Sequence, residues 1–262
     1  MQIAALDNIH LHWREDGDPD GTPVVFANSL GTDLRLWGKV LPLLPKGLRL
    51  IRFDLRGHGL SECPQALYSM AELADDAEAL LDHIGVRDTV FVGLSIGGMI
   101  GQALASRRPN QIRALVLSNT ATKMGTAQMW RDRMGAIRSS GIEPVADAIL
   151  DRWFAAGFRA TDNVLLWRNM LVRTPVSGYL GCCNAIADAD LESMTRTLRL
   201  PVLAIAGSDD RACPPELVRQ TCAMIPGAHY VEIPNTGHLP CVEAPATYAE
   251  HLSAFLMENR NE

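Results

Sequence analysis

The chain has 262 residues, of which 47% are hydrophobic, and it carries a formal net charge of -6 at pH 7. This length allows a large buried core, while the acidic balance without a basic run argues against a nucleic acid or an anionic membrane as partner. The chain has no run approaching the roughly 18 apolar residues of a membrane span, and its amino terminus does not look like a targeting signal. We therefore expect a cytoplasmic protein that acts on a small molecule, and the composition leaves a homo-oligomer open.

The six cysteines do not follow the CxxC spacing of a zinc site, and they are too sparse for a disulfide scaffold. We expect reduced thiols and no bound metal. Two of them are adjacent, in the stretch GYLGCCNAIADADL, where we interpret them as small apolar packing residues. The cysteines are Cys63, Cys182, Cys183, Cys213, Cys222 and Cys241.

Short apolar runs alternate with longer helix-like segments over most of the chain. Runs of this kind, flanked by glycine and proline, are typical of strands that are buried on both faces. The alternation predicts the α/β class, with a mostly parallel sheet flanked by helices. In chain order, the predicted strands are TPVVFAN, LRLIRFDL, TVFVGL, IRALVLSN, PVLAIAG and HYVEIP.

The pattern changes in the segment 121–199, where methionine, tryptophan and leucine recur at helical spacing. We predict a helical lid there, inserted before the last two core strands. Residues 1–120 and 200–262 would form the core.

The stretch TVFVGLSIGGMIG contains the pattern G-x-S-x-G at residues 93–97. It directly follows a predicted buried strand and opens a helix-like segment, which is the context of a nucleophile elbow. The flanking glycines give the strained turn room, and the helix directs its positive end at the site. The pattern therefore predicts Ser95 as a nucleophile.

A serine nucleophile needs a base, and the base needs an orienting carboxylate. The stretch AGSDD places Asp209 and Asp210 after a predicted strand, and His238 follows the last predicted strand. From the residues alone, either aspartate fits. Attack on a carbonyl also requires oxyanion donors, which we expect from the backbone N–H of Ile96 and from the loop NSLGTD.

These motifs resemble those of the α/β-hydrolase superfamily over essentially the whole chain. FDLRGHGLS is similar to the D-x-R-G-x-G-x-S stretch of that family, and NTGHLPCVEAP is similar to its histidine loop. The family's G-x-x-D motif implies Asp210 as the acid. The chain departs from the family at residues 27–29, where many members carry His-Gly. The resemblance nevertheless implies Leu30 as the second oxyanion donor, with Ser29 as the alternative register.

A narrower resemblance, to the 3-oxoadipate enol-lactonases, rests on NSLGTDLRLW and three stretches of the predicted lid. It implies a serine hydrolase without a cofactor, acting on a small acidic enol-lactone in aromatic-compound catabolism. Arg133 is a candidate for binding the substrate carboxylate, and Trp130 either walls the pocket or belongs to the core. Other reactions remain open, namely those of a carboxylesterase, a C–C bond hydrolase or a cofactor-free perhydrolase. A non-catalytic receptor for a small ligand also remains open.

Overall fold

The protein is described here by a computed structural model that covers residues 1–65 and 67–259. Its strands form one sheet. They are β1 (Gln2–Ala5), β2 (His10–Gly17), β3 (Thr22–Ala27), β4 (Leu48–Phe53), β5 (Thr89–Leu94), β6 (Ile112–Ser118), β7 (Val202–Gly207) and β8 (His229–Ile233).

The order of the strands in the sheet is β1-β2-β4-β3-β5-β6-β7-β8. Strands β3 to β8 run parallel, whereas β1 pairs antiparallel with β2 and β2 pairs antiparallel with β4. Every residue of β5 and β7 is buried, because helices cover both faces of the sheet. The predicted fold class and its mostly parallel sheet are confirmed.

The helices of the described chain fall into two groups, one that flanks the sheet and one between β6 and β7. The first group is α1 (Met70–His83), α2 (Ile96–Arg107), α9 (Pro215–Ala223), α10 (Pro240–Glu243) and α11 (Pro245–Glu258). The second group is α3 (Ala127–Ser140), α4 (Ala146–Trp153), α5 (Ala156–Arg159), α6 (Val164–Val172), α7 (Val176–Asp188) and α8 (Glu192–Thr195). Short 3-10 helices cover Leu34–Trp37, Leu41–Leu43 and Glu143–Val145.

The helices α3 to α8 thus occupy the segment in which the sequence predicts a lid, ahead of the last two strands. The boundaries 1–120, 121–199 and 200–262 stay predictions, and residues 260–262 lie outside the described residues. Over the described ranges, none of the helices is both long and apolar enough to cross a membrane.

Candidate active site

Ser95 occupies a strained turn between β5 and α2. Its φ of 58° and ψ of -118° lie where residues with a side chain are uncommon. A Cβ at Gly93 would lie 2.3 Å from the carbonyl oxygen of Gly97, and a Cβ at Gly97 would lie 2.3 Å from that of Ala27. The two glycines are therefore required for the turn to pack closely, and the turn presents Ser95 at the carboxyl end of the sheet.

His238 and Asp210 form a buried pair near this turn. The Nδ1 atom of His238 lies 2.8 Å from Oδ2 of Asp210. The other carboxylate oxygen accepts the backbone N–H groups of Ala212 at 2.7 Å and Cys213 at 2.9 Å, so the acid is fixed in orientation. By contrast, Asp209 is exposed. A proton on Nδ1 leaves Nε2 of His238 as the basic nitrogen.

Ser95 and His238 line one cavity, which also contains Met124. The Ser95 hydroxyl lies 4.0 Å from Sδ of Met124, which is a weak acceptor. Hydrogen bonds of catalytic groups are often long without substrate and tighten in the complex. The arrangement therefore suits a serine that approaches the imidazole when a substrate enters.

The loop after β3 brings Leu30 to the same cavity. The next two N–H groups of this loop are engaged, since that of Gly31 donates to Nε2 of His58 at 3.0 Å and that of Thr32 to the carbonyl of Ser29 at 3.2 Å. Burial lowers the pKa of His58, which keeps its imidazole neutral and able to accept. These contacts favour Leu30 over the following residues as an oxyanion donor.

The N–H group of Ile96 is in the first turn of α2, where N–H groups lack partners within the helix. Its position next to Ser95 suits the second oxyanion donor that the sequence predicts. The partial positive charge at this end of the helix would also favour a developing negative charge.

Trp130 and Arg133, both on α3, also line this cavity. Nε1 of Trp130 donates to the carbonyl of Met124 at 2.6 Å, and the Arg133 guanidinium lies 4.7 Å from the centre of the Trp130 ring. Trp130 therefore lines the cavity and also holds two other residues that line it, Met124 through the hydrogen bond and Arg133 through the ring contact. The two residues that the sequence singles out in the predicted lid line the same cavity as Ser95.

Comparison with known proteins identifies the family to which this fold belongs. The profile of the Alpha/beta hydrolase family matches residues 24–251. The chain belongs to the α/β-hydrolase family. It is 32% identical over 251 residues to 3-oxoadipate enol-lactonase 2 of Acinetobacter baylyi, covering 95% of this chain and 94% of that relative.

Two solved structures extend the comparison. The crystal structure of the enol-lactonase from Burkholderia xenovorans LB400 superposes with a TM-score of 0.94 at 35% identity, covering 98% of this chain and 100% of that one. The malate-bound structure of a thermophilic esterase from Thermogutta terrifontis gives a TM-score of 0.93 at 26% identity, with full coverage of both chains. The resemblance to enol-lactonases noted from the sequence is confirmed.

Asn119 is a site residue of this α/β-hydrolase that sequence reasoning missed. It is fully buried, and its Nδ2 donates to Oδ2 of Asp210 at 2.9 Å and to the carbonyl of Gly237 at 3.3 Å. Its φ of 48° adds a second strained residue at the carboxyl end of the sheet. The feature of the sequence that could have identified Asn119 is that it is a polar residue directly after the apolar run of β6.

Arg152 and Tyr179 are two further cavity residues that the sequence did not reveal. The pKa of Arg152 is lowered, first by burial and then by the positive charge of Arg133. In the ranges 1–65 and 67–259, no carboxylate forms an ion pair with either guanidinium within 4.0 Å. Neither guanidinium is therefore neutralised by a direct ion pair, although the charge of Asp210 acts on Arg152 and partly offsets the lowering of its pKa. The buried hydroxyl of Tyr179 makes no well-formed hydrogen bond among the same residues, although it lies near enough to Arg133 to interact with it.

Glu243 joins the histidine loop to the segment after α4. One carboxylate oxygen accepts the N–H of Gly237 at 2.7 Å, and the other accepts that of Ala155 at 3.0 Å. In addition, the N–H of His238 donates to the carbonyl of Trp153 at 2.7 Å. Burial raises the pKa of Glu243 to about 7. The two backbone hydrogen bonds act in the opposite direction, because they favour the charged carboxylate.

The adjacent cysteines lie on α7, away from this chemistry. Cys182 and Cys183 are fully buried in the hydrophobic core, and burial raises the pKa of Cys183 to about 12. A thiol with so high a pKa is a poor nucleophile at neutral pH. The same stretch contributes two glycines that allow close contacts, since a Cβ at Gly178 would lie 2.2 Å from the carbonyl oxygen of Gly57 and one at Gly181 would lie 2.5 Å from the Tyr68 ring.

Proposed function

We propose that this protein is a serine hydrolase that opens 3-oxoadipate enol-lactone with water to give 3-oxoadipate. The observation that carries the proposal is one cavity that is lined both by Ser95 and His238 and by two guanidiniums without an ion-pair partner among the described residues. The two guanidiniums are those of Arg133 and Arg152. The similarity to two enol-lactonases over nearly the whole chain supports this substrate.

In the proposed reaction, Nε2 of His238 takes the hydroxyl proton of Ser95 while Oγ bonds to the lactone carbonyl carbon. Asp210 holds the imidazole through Nδ1 and stabilises the imidazolium. The N–H groups of Leu30 and Ile96 bind the oxyanion. When the tetrahedral intermediate collapses, the ring C–O bond breaks and the imidazolium protonates the departing enol oxygen. The enol then tautomerises to the ketone.

Deacylation repeats these steps with water as the nucleophile. His238 removes a proton from the water as its oxygen bonds to the acyl carbon, and the imidazolium returns that proton to Oγ of Ser95. The product is 3-oxoadipate and the free enzyme. The proton transfers of acylation and deacylation use His238, and the released enol can tautomerise in water, so the proposed reaction involves no cofactor.

The free carboxylate of the lactone would bind to Arg133 and Arg152. Because burial and mutual repulsion lower the pKa of Arg152, an anion between the two guanidiniums would be favourable. The Tyr179 hydroxyl, which makes no well-formed hydrogen bond in the described ranges of the chain, is a further donor. These groups lie on α3, α4 and α7, which supports the proposal that residues 121–199 form a lid that selects the substrate.

We also propose that the reaction takes place in the cytoplasm, as part of aromatic-compound catabolism. All six cysteines are free, including the adjacent pair Cys182 and Cys183. Free thiols in this number fit a reducing compartment. The catabolic role is the one that the resemblance to 3-oxoadipate enol-lactonases implies for this substrate.

The decisive experiment follows the decay of enol-lactone absorbance when the purified protein is added to lactone generated in situ from muconolactone. We expect rapid multiple turnover, and Ser95→Ala should lower kcat by on the order of 10³-fold or more while the protein stays folded. Binding without turnover would indicate a receptor. Turnover of 4-nitrophenyl acetate without turnover of the lactone would indicate a carboxylesterase.

A second experiment tests the arginine pair. Arg133→Met and Arg152→Met keep most of the apolar stem and remove the charge. Each should raise KM for the acidic lactone on the order of tenfold, with little change in KM for neutral 4-nitrophenyl acetate. Arg131→Met on the same helix is the matched control, because Arg131 is exposed. Equal changes in KM for both substrates would contradict carboxylate binding by the pair.

A further inference from the structure

The hydroxyl of Ser29 is a buried polar group in the cavity of the nucleophile. Ser29 is 1% exposed, and its Oγ has no hydrogen-bond partner among the described residues. It lines the same cavity as Ser95, Leu30 and His238. A buried hydroxyl without a partner is unfavourable for folding, so this group calls for a ligand-dependent explanation.

The backbone that carries this hydroxyl is held rigidly. Asn28 donates from Nδ2 to the carbonyl of Phe53 and accepts at Oδ1 from the indole of Trp37, both at 2.8 Å. The carbonyl of Ser29 accepts both the N–H and the hydroxyl of Thr32, at 3.2 and 2.8 Å. The loop cannot easily rearrange to give Oγ a partner within the protein.

The same loop packs directly against the elbow of the nucleophile. A Cβ at Gly97 would lie 2.3 Å from the carbonyl oxygen of Ala27 and 2.9 Å from that of Asn28. The backbone just before Ser29 is therefore in contact with the first turn of α2, close to Ser95. Ser29 follows directly on this contact and lines the same cavity as Ser95, in which the substrate carbonyl must react.

We propose that Ser29 is a further catalytic residue, whose hydroxyl donates a third hydrogen bond to the oxyanion. When Oγ of Ser95 bonds to the carbonyl carbon, the π electron pair moves to the carbonyl oxygen, which then accepts from Ser29 without taking its proton. On collapse the π bond re-forms, the bond to the leaving oxygen breaks, and the donor is released. An interaction that gains strength in the transition state raises kcat.

The proposal rests on the proposed serine chemistry, but it does not depend on which acyl substrate is used. An oxyanion forms during attack on a lactone and on a simple ester alike. A group that recognised only the bound substrate would instead change KM. A group that only supported the loop would stabilise the fold, and its removal would lower the melting temperature.

The test is Ser29→Ala, assayed on the enol-lactone and on 4-nitrophenyl acetate. We expect kcat to fall by on the order of 10²-fold on both substrates, with KM within about twofold of the parent value. The melting temperature should stay unchanged or rise, because the substitution removes an unpaired buried hydroxyl. Ser29→Cys keeps a weak donor of similar size and should retain an intermediate kcat.

Thr89→Val is the matched control. The Thr89 hydroxyl is buried at the start of β5, far along the strand from Ser95, and donates to the carbonyl of Pro23 at 2.9 Å. Its loss should lower the melting temperature and leave kcat unchanged, the reverse of the result expected for Ser29→Ala.

A kcat of Ser29→Ala within threefold of the parent value on both substrates would overturn the proposal, as would a change confined to KM. If Ser29→Ala fails to fold, Ser29→Cys decides, and an undiminished kcat in that variant also overturns it. Failure of the proposed function shows separately, as absence of lactone turnover by the unsubstituted protein. In that case the ester assay still measures the contribution of Ser29.

Discussion

Several residues at or beside the cavity depart from the usual rules of backbone conformation and hydrogen bonding. Ser95 and Asn119 have positive φ values of 58° and 48°. Ser29 and Tyr179 have buried hydroxyls that make no well-formed hydrogen bond in the part of the chain that the structure describes. Strain and unsatisfied polar groups persist in folded proteins where they serve function. At this cavity these features coincide with the nucleophile elbow and with the buried pair of His238 and Asp210.

Asn119→Gly tests whether the asparagine side chain positions the proposed acid. Glycine adopts the left-handed conformation without cost, so the substitution removes the side chain and leaves the turn relaxed. Without the bond from Nδ2 to Asp210, we expect kcat to fall on the order of tenfold with KM nearly constant. Steady-state kinetics measure this change.

The matched control for that experiment is Asn235→Gly. Asn235 shares the left-handed backbone, with a φ of 57°, but its side chain is exposed. This variant should retain the parent kcat. If Asn235→Gly and Asn119→Gly lose the same fraction of kcat, the bond to Asp210 has no positioning role.

The sequence contains enough information to predict Ser95, Asp210 and His238 as candidates, because each lies in a short motif at a strand end. Arg152 and Tyr179 could not be predicted in this way. Helical spacing identifies the buried face of α4 or α7, but it does not determine which cavity that face meets. Which cavity a helix lines depends on how helices that are far apart in the sequence pack together. A single sequence does not specify that packing.

At the scale of elements, the sequence predicts the parallel strands β3 to β8 but not the antiparallel strands β1 and β2. Strands β3, β5 and β7 are nearly continuous apolar runs, which a sequence reveals directly, whereas β8 lies at the sheet edge opposite β1 and is predicted although most of it is not buried. By contrast, β2 reads HLHWREDG, with three consecutive charged residues, and only its first half is well buried. Its pairing with β1 and β4 supplies what its apolar pattern lacks.

Two glycine substitutions in helices between β6 and β7 should have opposite effects on stability. A Cβ at Gly178 in α7 would lie 2.2 Å from the carbonyl oxygen of Gly57, whereas a Cβ at Gly135 in α3 has no neighbour within 4 Å. Gly135→Ala should raise the free energy of unfolding by roughly 0.5–1 kcal/mol, because alanine favours the helix. Gly178→Ala should lower it by about 1–3 kcal/mol, because the backbones must separate.

Urea denaturation of the two variants measures both effects. A stabilised Gly178→Ala protein would show that α7 and the loop of Gly57 are not in close contact. It would also remove the explanation of why the GYLGCC stretch needs glycine there. Gly135→Ala controls for the intrinsic preference of alanine over glycine in a helix.

At the scale of the whole molecule, the loop that carries His238 contacts both groups of helices. Glu243 at the end of α10 binds the N–H of Gly237 and that of Ala155 beyond α4. A Cβ at Gly237 would lie 2.4 Å from the carbonyl oxygen of Trp153, so these segments are in direct contact. The position of His238 therefore depends on the packing of helical segment and core together. Glu243 makes that packing sensitive to pH.

Burial raises the pKa of Glu243 from 4.5 to about 7, so the folded protein binds more protons than the unfolded chain between these values. The free energy of unfolding must therefore fall as pH rises through this window, and this contribution levels off above pH 7. Glu243→Gln cannot titrate. Relative to that variant, the parent protein should lose about 1–2 kcal/mol from pH 4.5 to 7, allowing for partial exposure of the carboxylate. Urea denaturation of both proteins across this pH range measures the difference in the free energy of unfolding. Glu250→Gln is the control for the loss of one charge, because Glu250 is exposed. A difference that does not change with pH would show that burial does not hold the proton on Glu243.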